Sequence, residues 1–331
     1  MDTNLRPLSL GEILDRTAQL YRSNFLLFAG IAAVYAGALL VLNLIQIGLQ
    51  ELLQAEHWTR QLAWLTRSAT GVSMLLAFIF AGAAVAANNR AVGWLHLGQS
   101  PTIRGAYSDI LPRLGRYLWL MTITAIVVWL PIAVLYGVYF ATVLHFNQVA
   151  AGAGGPSAAA GNQSMLIFGV ATAVFLLLLI PIGIYTVLMG LRYALAVPAC
   201  VVENIKARQA IRRSIELSKG SRGRIFLLGL LVISIQIGLV LVTQAAFFVV
   251  GFKNHGVLSA GIRALQQVVA FVTNTFIGPV YATGLTLFYY DQRVRKEGYD
   301  IERMMDAAGL TAPVVAPQSA AEPPLPGVSQ E

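Results

Sequence analysis

The sequence predicts an all-α membrane protein, with six transmembrane helices arranged as three hairpins and a cytoplasmic amphipathic interfacial helix before each hairpin. Three observations lead to this fold class. Hydrophobic residues make up 57% of the 331 residues, and charged residues make up only 11%, whereas soluble domains carry about 25% charged residues. The apolar residues fall into six long runs. These runs lack the alternating pattern of barrel strands, so we expect helices.

Each of the six runs is long enough to cross the hydrocarbon core, which takes about 20 predominantly apolar residues. The runs cover residues 25–49, 70–95, 117–144, 166–189, 225–250 and 265–290. Pro131 and Pro181 fall near the middle of the third and fourth runs. Because proline lacks the N–H of a helical hydrogen bond, we expect a kink at each of them.

The distribution of basic residues predicts which way the helices face. With the N-terminus in the cytoplasm, the outer loops hold four of the 23 Lys and Arg residues, and the inner segments hold the other 19. The four are Arg60, Arg67, Lys253 and Arg263. Because basic loops stay on the cytoplasmic side, we expect a multi-pass protein of the bacterial inner membrane with both termini in the cytoplasm.

Each odd-numbered span follows a segment with an apolar stripe and a basic opposite face, which is typical of a helix in the headgroup plane. The first segment is residues 1–24, where Ser9 and Glu12 have capping-box spacing. The second begins with Ser100 as N-cap, and the third covers residues 207–218. The pattern predicts three parallel repeat-like units, unless positive-inside loops alone produce the similarity.

The six-span domain covers residues 25–290, and the segments around it have a different composition. Residues 291–310 form a cytoplasmic juxtamembrane segment, and residues 311–331 form a Pro/Ala-rich tail that we expect to be disordered. The uncharged outer loop 151–164 has the composition of a flexible linker.

Most catalytic patterns are absent from the sequence. It contains no HExxH, GxSxG or GxxxxGK[ST] pattern. The four His residues lie in separate loops or span ends, and Cys200 is the only cysteine, so we expect no metal site and no cofactor. Basic residues that stand beside long apolar runs favour membrane contact over nucleic acid.

The third inner loop is the densest basic region, and anionic lipid headgroups are the partners that it predicts. Its proposed headgroup ligands are Arg192, Lys206, Arg208, Arg212, Arg213, Arg222 and Arg224. Lys219 lies in the same loop, and the sequence from Gly220 to Gly223 permits a nest of backbone N–H groups. The alternative is that these charges only set the topology.

Polar residues in the fifth and sixth spans suggest a path for a small solute. The candidates are Gln236, Gln244, Thr273, Asn274 and Pro279. The alternative is that the polar side chains hydrogen-bond between helices, at about 0.6 kcal/mol each. No Asp or Glu lies in the middle of a predicted span, which weakens a proton-coupled pump.

Three stretches carry a resemblance to a known family. They are residues 5–16 with Tyr21 and Arg22, residues 197–203 with 210–214, and residues 289–300. Over roughly residues 5–305 the chain resembles the bacterial membrane domain named after glycerophosphoryl diester phosphodiesterase. The resemblance implies a stand-alone membrane domain without the catalytic barrel of the fused members, and it transfers no catalytic residue.

These observations lead to a function prediction with two main alternatives. We expect an inner-membrane protein without catalytic activity, acting as a lipid-contacting scaffold or accessory module. Its expected partners are membrane lipids, followed by a second copy of the chain or other membrane proteins. A transporter or channel subunit with a path near spans five and six is the alternative, and a membrane-embedded phosphodiesterase is the least favoured.

Overall fold

A computed structural model describes residues 8–55, 63–152, 158–253 and 259–307, and within these ranges every regular element is a helix. The α-helices are α1 Leu10–Ser23, α2 Phe25–Ala55, α3 Ala63–His96, α4 Ile103–Ile110, α5 Leu114–Gly152, α6 Ala158–Tyr193, α7 Ala196–Val202, α8 Ala207–Ser218, α9 Arg222–Lys253, α10 Ala260–Glu297 and α11 Tyr299–Ala307. A short 3-10 turn, Leu111–Arg113, connects α4 to α5.

Six helices in the described ranges are long and apolar enough to cross a membrane, which confirms the predicted number. They are α2, α3, α5, α6, α9 and α10, and each extends beyond the predicted run. Pro131 lies inside α5 and Pro181 inside α6. The predicted disordered tail, residues 311–331, lies outside the described residues.

Two local predictions differ from the structure. The composition of the loop 151–164 predicts a flexible linker, but α5 continues to Gly152 and α6 begins at Ala158; residues 153–157 lie outside the described ranges. Alanine has the highest helix propensity, so an Ala-rich segment continues the adjoining helices. The N-cap of α4 is Thr102 rather than Ser100, because the Thr102 hydroxyl accepts a hydrogen bond of 3.0 Å from the Gly105 amide.

The buried core lies at one end of the bundle, around the C-terminal half of α10. Residues 283–290 of α10 are all buried, which places protein on every side of this helix. The helices that contact it are α1, α2, α3, α7, α8, α9 and α11. At the other end of α10, Arg263 forms an ion pair with Glu51 of α2.

Helix α1 packs lengthwise along α10. The Leu8 amide donates to Asp291 at 2.7 Å, and the Tyr21 hydroxyl donates to the Phe276 carbonyl at 2.5 Å. The two helices are therefore antiparallel, and the apolar stripe of α1 is buried at Ile13, Thr17 and Leu20. The predicted position of α1 in the headgroup plane stays a prediction. The packing around α10 is close at Gly284, where a Cβ atom would lie 3.3 Å from Leu228 Cδ1 of α9.

Helices α5 and α6 form a pair at the periphery of the bundle. They contact each other closely, with Tyr139 stacked on Phe175 at a ring-centroid distance of 4.3 Å and Phe146 on Phe168 at 4.8 Å. None of the most apolar window of α6 is buried inside the protein. This surface has the composition that contact with lipid tails requires.

We expect Gly30→Ala to reduce stability relative to the same change at Gly48, although both glycines lie in α2. A Cβ on Gly30 would clash with the δ1 methyl of Ile103 in α4, whereas a Cβ on Gly48 would meet no atom within 4 Å. Overpacking of this kind costs about 1–3 kcal/mol, and the flexible Ile103 side chain places the expected loss near the lower value.

Thermal unfolding in detergent measures the difference between the two variants. Gly48→Ala controls for the gain in helix propensity that both changes share. Ile103→Val removes the clashing methyl and should restore Gly30→Ala toward the parent stability. Equal melting temperatures for the two alanine variants would contradict the close approach of α4 to α2.

Candidate functional site: the basic end of the bundle

A buried carboxylate organises the point where the chain enters α1. The side chain of Asp291 is 0% exposed, and it accepts hydrogen bonds from the Leu8 amide at 2.7 Å and from Gln292 Nε2 at 3.1 Å. Its oxygens lie 3.0 Å from Arg295 Nε and 3.4 Å from Arg224 Nη1. Both guanidinium groups also donate to the Leu8 carbonyl. This Asp291 cluster ties the start of α1 to α9 and α10.

A second ionic group joins α7, α8 and α10. Glu203, directly after α7, accepts hydrogen bonds from Arg213 Nε at 2.9 Å and from the Tyr289 hydroxyl. Arg213 also donates to Glu297 at 2.6 Å, and Arg293 Nε lies 3.2 Å from the same carboxylate. Burial lowers the pKa of the Arg213 guanidinium, but hydrogen bonds to Glu297 and Glu203 outweigh burial and raise the pKa above its usual value. We call these five residues the Glu203 cluster.

Helix α8 is held at both its C-terminus and its buried face. Lys296 Nζ donates to three carbonyls at the end of α8, where a cation also interacts favourably with the helix dipole. These carbonyls belong to Glu216, Leu217 and Lys219, at 2.8, 3.0 and 2.7 Å. On the buried face, the Ser214 hydroxyl donates to the Arg192 carbonyl at 2.9 Å. The position of α8 is therefore fixed relative to α6 and α10.

The seven predicted headgroup ligands fall into three groups. Arg213 and Arg224 belong to the Glu203 and Asp291 clusters, so their charges are matched within the protein. The second group consists of Lys206, Arg208 and Arg212, which we call the α8 face. These side chains are exposed, and no described residue forms an ion pair with them. Arg192 and Arg222 form the third group and lie together at an open cavity.

This cationic cavity opens where α6, α8 and α9 meet, and its volume is about 580 Å³. Its lining consists of Arg192, Ile215, Lys219, Gly220, Arg222 and Gly223. Gly220 has a φ of +82°, a left-handed conformation that glycine adopts without strain. The buried Nε atoms of Arg192 and Arg222 have no hydrogen-bond partner in the described part of the chain.

The predicted solute-path residues differ in their burial and in their hydrogen bonds. Gln244 of α9 accepts a hydrogen bond of 2.9 Å from Gln266 of α10. This is a hydrogen bond between helices, which is the alternative to a solute path. Pro279 is buried, whereas Asn274 is exposed. The remaining two candidates, Gln236 and Thr273, are half-buried.

Sequence reasoning missed a pair of buried amides in α3. Asn88 Nδ2 lies 3.3 Å from the Thr283 hydroxyl, and Asn89 Oδ1 accepts a hydrogen bond of 2.6 Å from the Thr286 hydroxyl. Both asparagines are at most 3% exposed. These contacts join α3 to the enclosed half of α10. The available signal was two adjacent asparagines inside an Ala-rich apolar run.

Comparisons with models of protein families, with curated proteins and with solved structures return no match for this chain. The family resemblance therefore stays a prediction. Among the residues that the structure describes, no group of three or more His, Cys, Asp or Glu side chains is placed to hold a metal ion.

Proposed function

We propose that this multi-pass membrane protein is a non-enzymatic scaffold or accessory module of the bacterial inner membrane, and that it contacts anionic lipids through the α8 face. The single observation that carries the proposal is that some basic residues of this region are exposed and unpaired among the described residues, whereas others are paired with carboxylates. Lys206, Arg208 and Arg212 keep exposed charges, while neighbouring arginines are matched by carboxylates inside the protein. Exposed cations beside a spanning helix attract anionic headgroups at about 1 kcal/mol each.

The rigidity of α8 supports this proposal. Lys296 fixes its C-terminal carbonyls, and Arg213 joins it to the Glu203 cluster. The exposed side chains therefore project from a helix whose position is already set. Binding a headgroup then requires ordering of the side chains but not of the helix.

The triple variant Lys206→Gln, Arg208→Gln and Arg212→Gln is expected to lower the ratio of phosphatidylglycerol to phosphatidylethanolamine that co-purifies with the protein. Each charge contributes about 1 kcal/mol to headgroup attraction. Removing one residue should therefore lower the relative affinity for phosphatidylglycerol by at most about fivefold. Quantitative lipid mass spectrometry of the purified full chain measures this ratio.

A charge-retaining triple variant serves as the control. In Lys206→Arg, Arg208→Lys and Arg212→Lys the ratio should stay at the parent value, because headgroup attraction depends on charge here. An unchanged ratio in the glutamine variant would refute lipid contact through the α8 face. Arg213 and Arg224 are left intact, since removing them would take one cation away from the carboxylates Glu203, Glu297 and Asp291 inside the protein.

We also propose the finer membrane arrangement, with both termini cytoplasmic and three hairpins each preceded by a short helix. Contacts between successive spans support it, namely α2 with α3, α5 with α6 and α9 with α10. Each short helix also donates a hydroxyl to a carbonyl of a spanning helix. The three pairs are Tyr21 with Phe276, Tyr107 with Ile31 at 2.8 Å, and Ser214 with Arg192.

A role as a transporter or channel subunit is the second candidate, and it has less support. Two of its candidate residues have other surroundings, since Gln244 is bonded to Gln266 and Asn274 is exposed. The interhelical hydrogen bond is what helix packing in lipid requires without any solute. The scaffold proposal therefore stands first.

A further inference from the structure

We infer that the cationic cavity is a binding site for a single phosphate group, separate from the α8 face. The inference rests on the proposed lipid contact, and it goes further because it names the chemical group that the cavity binds. Arg192, Lys219 and Arg222 bring three cations to an open cavity, and none of its six lining residues is acidic. A phosphate monoester carries about −1.5 to −2 charge near neutral pH, which suits such a group.

The donors in the cavity are the second support. The Nε atoms of Arg192 and Arg222 are buried and have no hydrogen-bond partner among the described residues. Both side chains are only partly buried and line the open cavity, so a ligand from outside can reach their guanidinium groups. Guanidinium groups bind phosphate oxygens in pairs of parallel hydrogen bonds, which a single ammonium does not provide.

Main-chain groups add to the positive potential at the cavity. Helix α9 begins at Arg222, and the amides of Arg224 and Ile225 donate to the Ser221 carbonyl. The amides of Arg222 and Gly223 are then the ones without a carbonyl partner in the helix. The helix dipole gives this end a partial positive charge, which stabilises a bound anion. Gly220 makes the left-handed turn that brings the end of α8 beside the start of α9.

The place of the cavity in the fold indicates where the phosphate comes from. Arg192 lies in the last turn of α6 and Arg222 in the first turn of α9, and both helices are long and apolar enough to span a membrane. The ends of spanning helices lie at headgroup depth on either side of a bilayer. The half-buried Ile215 gives the cavity an apolar wall beside its cations. A phosphate on a lipid headgroup and a free phosphate ion share this chemistry, so the test separates them.

The experiment uses the full chain in a nonionic detergent and measures bound lipid by native mass spectrometry. Short-chain phosphatidic acid is the probe, and phosphatidylcholine of the same chain length is the zwitterionic comparison. Besides phosphatidic acid bound at the α8 face, we expect one further site that Arg192→Gln with Arg222→Gln weakens by about fivefold for each cation removed. An excess of inorganic phosphate that displaces the lipid would identify free phosphate as a ligand too; no displacement would identify the lipid as the ligand.

Two further variants make the result specific. Gly223→Glu places a carboxylate at the cavity, and its Cβ meets no atom within 4 Å. An acidic residue in the first turn also favours the helix, so this variant should fold and lose phosphatidic acid. Arg208→Gln with Arg212→Gln removes the same charge from the α8 face and should keep this site.

The inference is overturned if the Arg192 and Arg222 double variant binds phosphatidic acid as the parent does, or if phosphatidylcholine binds equally well. It is also overturned if the parent binds neither phosphatidic acid nor phosphate. In all three cases a lowered phosphatidylglycerol ratio in the α8-face variant would leave the proposed function standing. The two failures are therefore distinguishable.

Discussion

Asp291→Asn should lower the free energy of unfolding by about 3–5 kcal/mol, which is the range for removing one partner of a buried ion pair. The substitution keeps the shape of the side chain and removes its charge. Arg224 and Arg295 would then lose the anion that both contact, and the Leu8 amide would lose a charged acceptor. Because these contacts hold the start of α1, the loss should be concentrated there.

Two measurements separate this outcome from general destabilisation. Thermal unfolding in detergent gives the size of the loss, and hydrogen exchange should show faster opening of α1 than of α5 or α6. Asp15→Asn is the matched control, because the exposed Asp15 accepts a hydrogen bond from Gln19 of the same helix. Protection of α1 that is unchanged in Asp291→Asn would contradict the role of the Asp291 cluster.

Glu203→Gln is expected to cost about 2–3 kcal/mol, since hydrogen bonds to a charged group contribute about 1.5–3 kcal/mol each. Glu203 bonds two donors, Arg213 Nε and the Tyr289 hydroxyl. Both donors bond the same oxygen, Oε1, so the amide can keep this acceptor but loses the negative charge. Arg213 would keep Glu297 as an anionic partner, so the loss should be smaller than for Asp291→Asn.

A double-mutant cycle with Tyr289→Phe tests this geometry. Residues that share a hydrogen bond show non-additive effects of about 0.5–3 kcal/mol. The double variant should therefore be more stable than the sum of the two single losses predicts. Glu216→Gln, an exposed glutamate of α8, should change the melting temperature little. Additive losses in the cycle would argue against the bond between Glu203 and Tyr289.

Features that depend on neighbouring residues could be predicted from the sequence. The six long apolar helices are present, and α8 covers the predicted segment 207–218. The capping box at the start of α1 is confirmed, with the Ser9 amide donating to Glu12 at 2.6 Å and the Glu12 amide donating to Ser9 at 3.2 Å. Local hydrogen bonds and hydrophobic length determine these features.

Long-range partners could not be predicted. Arg213 and Arg222 lie in the same basic loop, yet one is paired with two carboxylates and the other lines the cavity. The difference depends on which residues of α10 and of the α7 terminus lie nearby. Leu8 and Asp291 are 283 positions apart, and nothing in either local sequence indicates their contact. The orientation of α1 depends on this contact.

The enclosed half of α10 has a consequence for how the protein is made. The ribosome adds about 5–20 residues per second, so α1 waits on the order of tens of seconds before α10 is synthesised. During that interval its apolar stripe lacks its final partner, and the surface of the bilayer is the place where such a stripe can be buried. Interfacial binding of α1 would then be a stage of biogenesis, and insertion of the last span would complete the core around the earlier ones.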